Sequence, residues 1–176
     1  MRYILIILFI SFSMQAQEFN LSQSIHQQEK KWQIVNDVVM GGVSSSQYEF
    51  TSEGIRFSGE VRLENNGGFC MIQFTPGEIQ VSDYTEIIIK VKAEPSTFQL
   101  RLKSSRKDDF NYYQPFKTTG EWQELRFELS NFEPQFRGRQ LNKSNFKAST
   151  IEEISILIGN KKREQFEIQI AEIYFD

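Results

Sequence analysis

Alternation of apolar and polar residues dominates this chain from Tyr48 onward. Segment 98–103 is the clearest case, with Phe98, Leu100 and Leu102 on one side and Gln99, Arg101 and Lys103 on the other. Successive side chains of a β-strand point to opposite faces of a sheet, so the pattern predicts one buried and one solvated face. We therefore expect the three apolar side chains to be buried, and Arg101 and Lys103 to be exposed.

The same pattern recurs in short segments that turn-forming residues separate. The segments are 55–59, 61–63, 86–92, 122–129, 154–158, 166–170 and 173–175. Asn65-Asn66-Gly67-Gly68 contains residues that tolerate positive φ, which predicts a tight hairpin turn. About nine short strands and no long helix predict an all-β fold, a two-sheet antiparallel jelly-roll β-sandwich.

The first residues have the composition of a targeting segment. Arg2 precedes an apolar run, residues 4–12, and a short segment then ends at Ala16. This layout predicts a signal peptide over residues 1–16 and an exported mature chain, periplasmic or secreted, that starts at Gln17. The run is shorter than the roughly 20 residues of a membrane-spanning helix. The residue two before Ala16 is not small, however, so an uncleaved membrane anchor is the alternative.

The rest of the chain predicts one domain. Residues 17–31 fit either an N-terminal arm or a short amphipathic helix, and residues 32–176 form the sandwich. The 20 basic and 23 acidic residues are mixed along the chain. No basic face is therefore expected, which argues against nucleic-acid binding and against strong binding to a membrane surface. Cys70 is the single cysteine and lies in an apolar run, so we expect a buried thiol and no internal disulfide.

Polar residues and glycines are concentrated directly after Trp32. The stretch reads Trp32-Gln33-Ile34-Val35-Asn36-Asp37-Val38-Val39-Met40-Gly41-Gly42-Val43-Ser44-Ser45-Ser46. It resembles the W-x-x-V-N-D-G-V-M-G-G-x-S-x-S signature of the complex I intermediate-associated protein 30 (CIA30) family. Further family-like elements follow at 63–69, 120–122, 132–139 and 151–175. The resemblance implies a galactose-binding-like sandwich, although Val38 stands where the family usually has glycine.

The resemblance implies a function only in outline. The family's eponym is a mitochondrial assembly factor for the respiratory NADH:ubiquinone oxidoreductase complex, and it acts on the matrix side. An exported chain would face the opposite side of the membrane. The first hypothesis is therefore an exported, non-catalytic binding module for a glycan or a protein partner. An assembly or chaperone-like factor for that complex is the second, and a cryptic carbohydrate-active enzyme is the third.

The candidate binding residues come from the family-like elements. They are Asn36, Asp37, Ser44, Ser46, Trp122, Arg137 and Arg139. The loop residues can present hydrogen-bonding groups to a sugar or a partner backbone, or they can close turns on their own backbone. A sandwich clusters its loops at its ends, so we expect Asp37, Ser44 and Arg137 to meet at one rim.

The later candidates have two interpretations each. Arg137 and Arg139 can bind a carboxylate of an acidic ligand, or form an internal salt bridge with Asp37 or a strand-end carboxylate. Trp122 can stack on a sugar ring or fill the core and rim. Asp108 and Asp109 are adjacent without an ordered ligand spacing, so we predict no metal site and no cofactor.

The sequence lacks a recognisable catalytic arrangement. His26 is the only histidine and precedes the strand-rich region, so no Ser-His or Cys-His pair is indicated. Paired carboxylates could serve a glycoside hydrolase, but their separation in space cannot be read from the sequence. We therefore expect a protein that is not an enzyme.

Overall fold

The computed structural model describes residues 30–176, which form β-strands joined in antiparallel pairs. The strands are β1 (Trp32–Asn36), β2 (Ser45–Thr51), β3 (Gly54–Val61), β4 (Cys70–Phe74), β5 (Ile79–Gln80), β6 (Glu86–Ala93), β7 (Thr97–Lys103), β8 (Asn111–Lys117), β9 (Gln123–Glu128), β10 (Glu133–Phe136), β11 (Arg139–Gln140), β12 (Thr150–Ile151), β13 (Glu153–Ile158) and β14 (Glu164–Phe175). Short 3-10 helices span Asp37–Met40, Glu64–Asn66 and Leu129–Asn131. The predicted signal peptide, His26 and nearly all of the predicted arm lie outside the described residues.

Two large sheets make up the sandwich. One has seven strands in the order β1-β4-β13-β7-β8-β10-β11, and the other has five in the order β2-β3-β14-β6-β9. A small sheet pairs β5 with β12. The predicted all-β jelly-roll sandwich is confirmed. Strands β8 and β10 were missed because their sequences, NYYQPFK and EPQF, lack alternation and contain proline.

The core lies between the two large sheets and is rich in phenylalanine. Phe98 and Phe116 of the seven-stranded sheet stack with ring centroids 5.7 Å apart. Phe98 also meets Phe166 of the five-stranded sheet edge-on at 6.4 Å. Phe98, Leu100 and Leu102 are no more than 1% exposed, which confirms the predicted buried face of β7.

The opposite face of β7 differs from the prediction. Arg101 is only 8% exposed, and Lys103 is half-buried, so the expectation that both are exposed is wrong. We call the side of the seven-stranded sheet that faces away from the core its outer face. Five polar residues of this face are buried, namely Gln73, Arg101, Gln135, Glu153 and Ser155. Arg101 on β7 donates a hydrogen bond to Gln135 on β10, and alternation within one strand cannot reveal such a contact between strands.

For the Asn65–Gly68 turn, the predicted positive φ values are confirmed, but the predicted hairpin connection is wrong. Asn65, Asn66 and Gly68 have φ values of 57°, 60° and 135°. The turn joins β3 to β4, however, and these strands belong to different sheets, so it is a crossover and not a hairpin. None of the helices in residues 30–176 has the length and hydrophobicity needed to cross a bilayer.

Candidate functional site

Asp37 is the centre of the signature loop. It follows the end of β1, its side chain is buried, and its carboxylate accepts hydrogen bonds from two separate segments. The backbone N–H of Ser44 donates at 3.0 Å, and the Ser44 hydroxyl donates as well. The N–H groups of Gly68 and Phe69 donate at 2.6 and 3.3 Å. The carboxylate therefore joins the signature loop to the crossover between the sheets.

The other residue types of the signature follow from packing around this carboxylate. A side-chain carbon at Gly42 would overlap the Asp37 carboxylate, and one at Gly67 would lie 2.6 Å from its Oδ2. Ser44 also contacts the residue that directly follows β3, because its hydroxyl oxygen accepts a hydrogen bond from the N–H of Arg62 at 2.9 Å. We call Asp37, Gly42, Ser44, Gly67 and Gly68 the Asp37 cluster. Two family-like elements that are distant in the sequence thus form one structural unit.

The electrostatics of the cluster favour an ionised Asp37. Burial alone would raise the pKa of this carboxyl, since a charge is poorly solvated in the interior. The hydrogen bonds from Ser44, Gly68 and Phe69 outweigh that effect, and the pKa lies below its ordinary value. Asp37 is therefore a structural charge at neutral pH.

Asn36 and Ser46 form a second link beside this cluster. The Ser46 hydroxyl donates to Asn36 Oδ1 at 2.7 Å. Cys70 is buried nearby, as predicted, and its thiol donates to the Glu60 carbonyl at 3.6 Å. All four loop candidates therefore have partners within the protein, and a ligand contact by any of them stays a prediction.

A cleft of about 630 Å³ opens on the outer face of the seven-stranded sheet. Its lining residues are Asn66, Gly67, Gly68, Phe69, Met71, Gln99, Arg101, Asp109, Asn111, Gln135, Phe136, Arg137, Gly138, Leu157 and Gly159. Strands β4, β13, β7, β8 and β10 each supply at least one of them. The crossover turn and the β10–β11 turn also contribute. We call this depression the outer-face cleft.

The floor of the outer-face cleft combines two apolar side chains, Met71 and Leu157, with polar ones. Met71, Leu157 and Gln99 are direct cross-strand neighbours on β4, β13 and β7. Arg101 lies two residues beyond Gln99, and its Nη2 donates to Gln135 Oε1 at 3.2 Å. Gln99 Oε1 and Arg101 Nε are buried, and neither has a hydrogen-bond partner in the described part of the chain. The free protein thus leaves polar groups of this floor unsatisfied, which is costly in the interior.

Apart from the Asn36–Ser46 pair, the structure separates the predicted site residues into three groups. Asp37 and Ser44 meet as expected, and they support the Gly67-Gly68 wall of the outer-face cleft. Arg137 lines the same cleft, with its guanidinium 5.2 Å from the centre of the Phe136 ring, but it forms no hydrogen bond or ion pair with Asp37. Arg139 and Trp122 do not line this cleft. Trp122 directly precedes β9, the edge strand of the other sheet.

Sequence reasoning missed four polar residues of the cleft. They are Gln99, Arg101, Asn111 and Gln135. Alternation did place Gln99 and Arg101 on a common face, and Gln135 belongs to a family-like element. The missing information was that the outer face is recessed, which depends on strands far apart in the sequence.

Comparisons with known proteins agree on the architecture. The model of a family described as complex I intermediate-associated protein 30 (CIA30) matches residues 18–170. No curated protein is significantly similar to the chain in sequence. A solved family 11 carbohydrate-binding module from Clostridium thermocellum, in complex with a β-1,3-1,4-mixed-linked tetrasaccharide, is similar with a TM-score of 0.61 and 14% identity. That likeness covers 82% of this chain and 88% of the module.

Two further solved structures show the same likeness. The family 11 module of the cellulosomal cellulase Lic26A-Cel5E of Clostridium thermocellum has a TM-score of 0.59 and 14% identity, over 82% of this chain and 86% of that one. The agarase AgWH50C has a TM-score of 0.53 and 10% identity, over 84% of this chain but only 23% of the agarase. At such low identity these likenesses establish the fold alone.

Proposed function

Because the chain belongs to the complex I intermediate-associated protein 30 family and has the sandwich fold of carbohydrate-binding modules, we propose that it is an exported, non-catalytic module that binds an oligosaccharide in the outer-face cleft. One observation carries the proposal. Gln99 Oε1 and Arg101 Nε are buried at the floor of this cleft and have no hydrogen-bond partner among residues 30–176. A ligand that supplies or reorganises hydrogen bonds there would offset the desolvation penalty of these two buried groups.

Sugar chemistry suits both parts of the cleft floor. A hydroxyl group donates and accepts hydrogen bonds, so it can pair with the amides of Gln99, Asn111 and Gln135. The apolar C–H surface of a sugar ring can pack on Met71 and Leu157. The volume of about 630 Å³ falls within the range of roughly 300–1,000 Å³ that small-molecule sites occupy.

The carboxylate content of the cleft favours binding without hydrolysis. Glycoside hydrolases use a pair of carboxyl groups that flank the scissile bond. Asp109 is the single carboxylate among the residues that line the outer-face cleft. A hydrolytic alternative would have to use a groove on the five-stranded sheet, which Glu60, Glu94 and Glu167 line. Glu60 is already paired there with Arg163, with its Oε1 2.7 Å from Nη2.

A glycan-binding experiment with matched variants tests the proposal. The protein is screened on an oligosaccharide array, and hits are measured by calorimetry. We expect Gln99→Ala to weaken binding by about tenfold, which corresponds to roughly one hydrogen bond to a polar ligand. Gln47→Ala is the control, since Gln47 is an exposed amide on the five-stranded sheet. Failure to bind any oligosaccharide, with a folded protein, would contradict the proposal.

The family description and an apolar surface favour a protein partner as the second candidate. Val38 is 61% exposed, Val43 38% and Leu63 43%, and all three adjoin the Asp37 cluster in the sequence or in space. An assembly factor for NADH:ubiquinone oxidoreductase would use such a surface. Subunits of that complex should then co-purify with the protein and be lost with Leu63→Asp. Unchanged co-purification with this variant would exclude the surface.

A further inference from the structure

Arg101 lies at the floor of the outer-face cleft, and no residue of the described part of the chain, 30–176, forms an ion pair with it. We propose that this guanidinium makes the cleft selective for saccharides that carry a carboxylate, that is, for uronic acid units. The inference rests on the proposed function, because it names the class of oligosaccharide that the same cleft binds.

The Arg101 side chain is buried and has few polar contacts. The residue is 8% exposed and lines the cleft. Among the described residues, its side chain donates a hydrogen bond to the amide oxygen of Gln135, which is neutral and itself 7% exposed. Arg101 takes part in no ion pair within residues 30–176. A neutral amide satisfies a donor but does not cancel the charge.

The neighbouring strands bring no carboxylate of residues 30–176 within ion-pair distance of Arg101. Tyr113 on β8 and Ser155 on β13 are the direct cross-strand neighbours of Arg101. Glu153 on β13 is a buried carboxylate whose charge acts on Arg101, but it lies in register with Lys103, two pairs further along. Burial raises the pKa of Glu153, and Lys103, Arg106 and Arg101 each act against that rise. The carboxylate of Glu153 thus interacts with three cations and not with Arg101 alone.

The rest of the cleft adds positive charge. Arg137 lines it with an exposed guanidinium that contacts the ring of Phe136 and forms no ion pair with any residue of 30–176. Two guanidinium groups therefore line the cleft together with one exposed carboxylate, Asp109. A carboxylate ligand would be attracted to this end of the cleft, since charges interact strongly where water is excluded.

The chemistry of a guanidinium selects for a carboxylate. Two parallel N–H groups of arginine match the two oxygens of a carboxylate, and such charge-assisted bonds are about twice as strong as neutral ones. A hydroxyl in the same place would leave the charge uncompensated. Burial lowers the pKa of Arg101, and the charges of Glu153 and Tyr113 offset only part of that effect. A uronic acid combines the hydroxyls that fit the amides with the anion that fits Arg101.

Matched pairs of ligands and variants test the inference. The protein is titrated with oligosaccharides of galacturonan and galactan, glucuronan and glucan, and mannuronan and mannan. We expect binding of at least one uronate about 10- to 100-fold tighter than its neutral counterpart, the ratio that a hydrogen-bonded charge supplies. Arg101→Gln should abolish the preference. Arg56→Gln should keep it, because Arg56 is paired with Glu49 on the other sheet.

The possible results separate this inference from the proposed function. Equal binding of uronate and neutral oligosaccharides, weakened alike by Gln99→Ala, would overturn the inference and keep the glycan-binding function. Binding of poly-glutamate in place of any oligosaccharide, or no binding of any probe, would overturn both. If Arg101→Gln does not fold by circular dichroism, Arg101→Lys provides the comparison, since it keeps the charge and removes the paired donors. A preserved uronate preference in a folded Arg101→Gln protein would also refute the role of Arg101.

Discussion

Replacement of Asp37 by alanine is the most direct test of the signature loop. The change removes one buried carboxylate and leaves four donor groups without their acceptor, from Ser44, Gly68 and Phe69. A hydrogen bond to a charged group contributes about 1.5–3 kcal/mol. Simple addition overestimates the loss, because water can enter the vacated space. We therefore expect Asp37→Ala to lower the free energy of unfolding by about 3–5 kcal/mol.

Urea unfolding followed by tryptophan fluorescence measures this effect. Trp32 is 6% exposed and packs on Phe74 with ring centroids 4.5 Å apart, so its emission reports on the core. Asp83→Ala is the matched control, since Asp83 is an exposed turn residue, and it should change the free energy of unfolding by less than about 0.5 kcal/mol. A loss below about 1 kcal/mol for Asp37→Ala would refute the structural reasoning. Normal stability with abolished glycan capture would assign Asp37 to binding instead.

The pH dependence of stability gives an independent readout for the same carboxyl. Its pKa is lower in the folded protein than the ordinary value of 3.8, so the folded state favours the ionised form. The contribution of Asp37 to stability is therefore complete above the ordinary pKa, and it is lost as the pH falls through the lower, folded value. Relative to the wild type, Asp37→Ala should lose less stability over that acidic range. Parallel curves would contradict the assignment.

Three further predictions concern the core, the thiol and export. Leu100→Ala should lower the free energy of unfolding by about 2–5 kcal/mol, because Leu100 is 0% exposed, and an unchanged urea midpoint would show that the core register is wrong. Burial raises the pKa of the Cys70 thiol to about 11, so iodoacetamide should modify it at pH 8 only after unfolding, and labelling of the native protein would contradict its burial. If the signal peptide is cleaved as predicted, mass spectrometry of the exported protein should find Gln17 at the N-terminus, and a retained Met1 in a cytoplasmic protein would count against export.

Local sequence patterns predicted the fold more completely than the site. Alternation correctly placed Phe98, Leu100 and Leu102 in the core, because strand faces follow directly from a period of two. The same pattern misjudged Arg101, whose burial depends on Gln135 and on loops distant in the sequence. Local preference also identified the positive φ values at Asn65 and Asn66, but it did not indicate that this turn joins two sheets.

The candidate site shows the same division. The signature drew attention to Asp37 and Ser44 because polar residues and glycines are concentrated there. Their shared role with Gly67 and Gly68 required the tertiary structure, since only the folded chain brings the crossover next to the loop. Gln99 and Arg101 were visible as polar residues of one strand face. Their membership in a cleft depends on five strands, which no single segment encodes.

The position of β14 has a consequence for how the protein is made. This strand, Glu164–Phe175, lies between β3 and β6 in the middle of the five-stranded sheet. A nascent chain that has not yet reached Glu164 leaves each of those strands with an unpaired edge, so the sheet closes only once β14 has left the ribosome. Pairings between strands so distant in the sequence form slowly. Closure of the five-stranded sheet thus depends on β14, and truncation into β14 removes the middle of a sheet, not its edge.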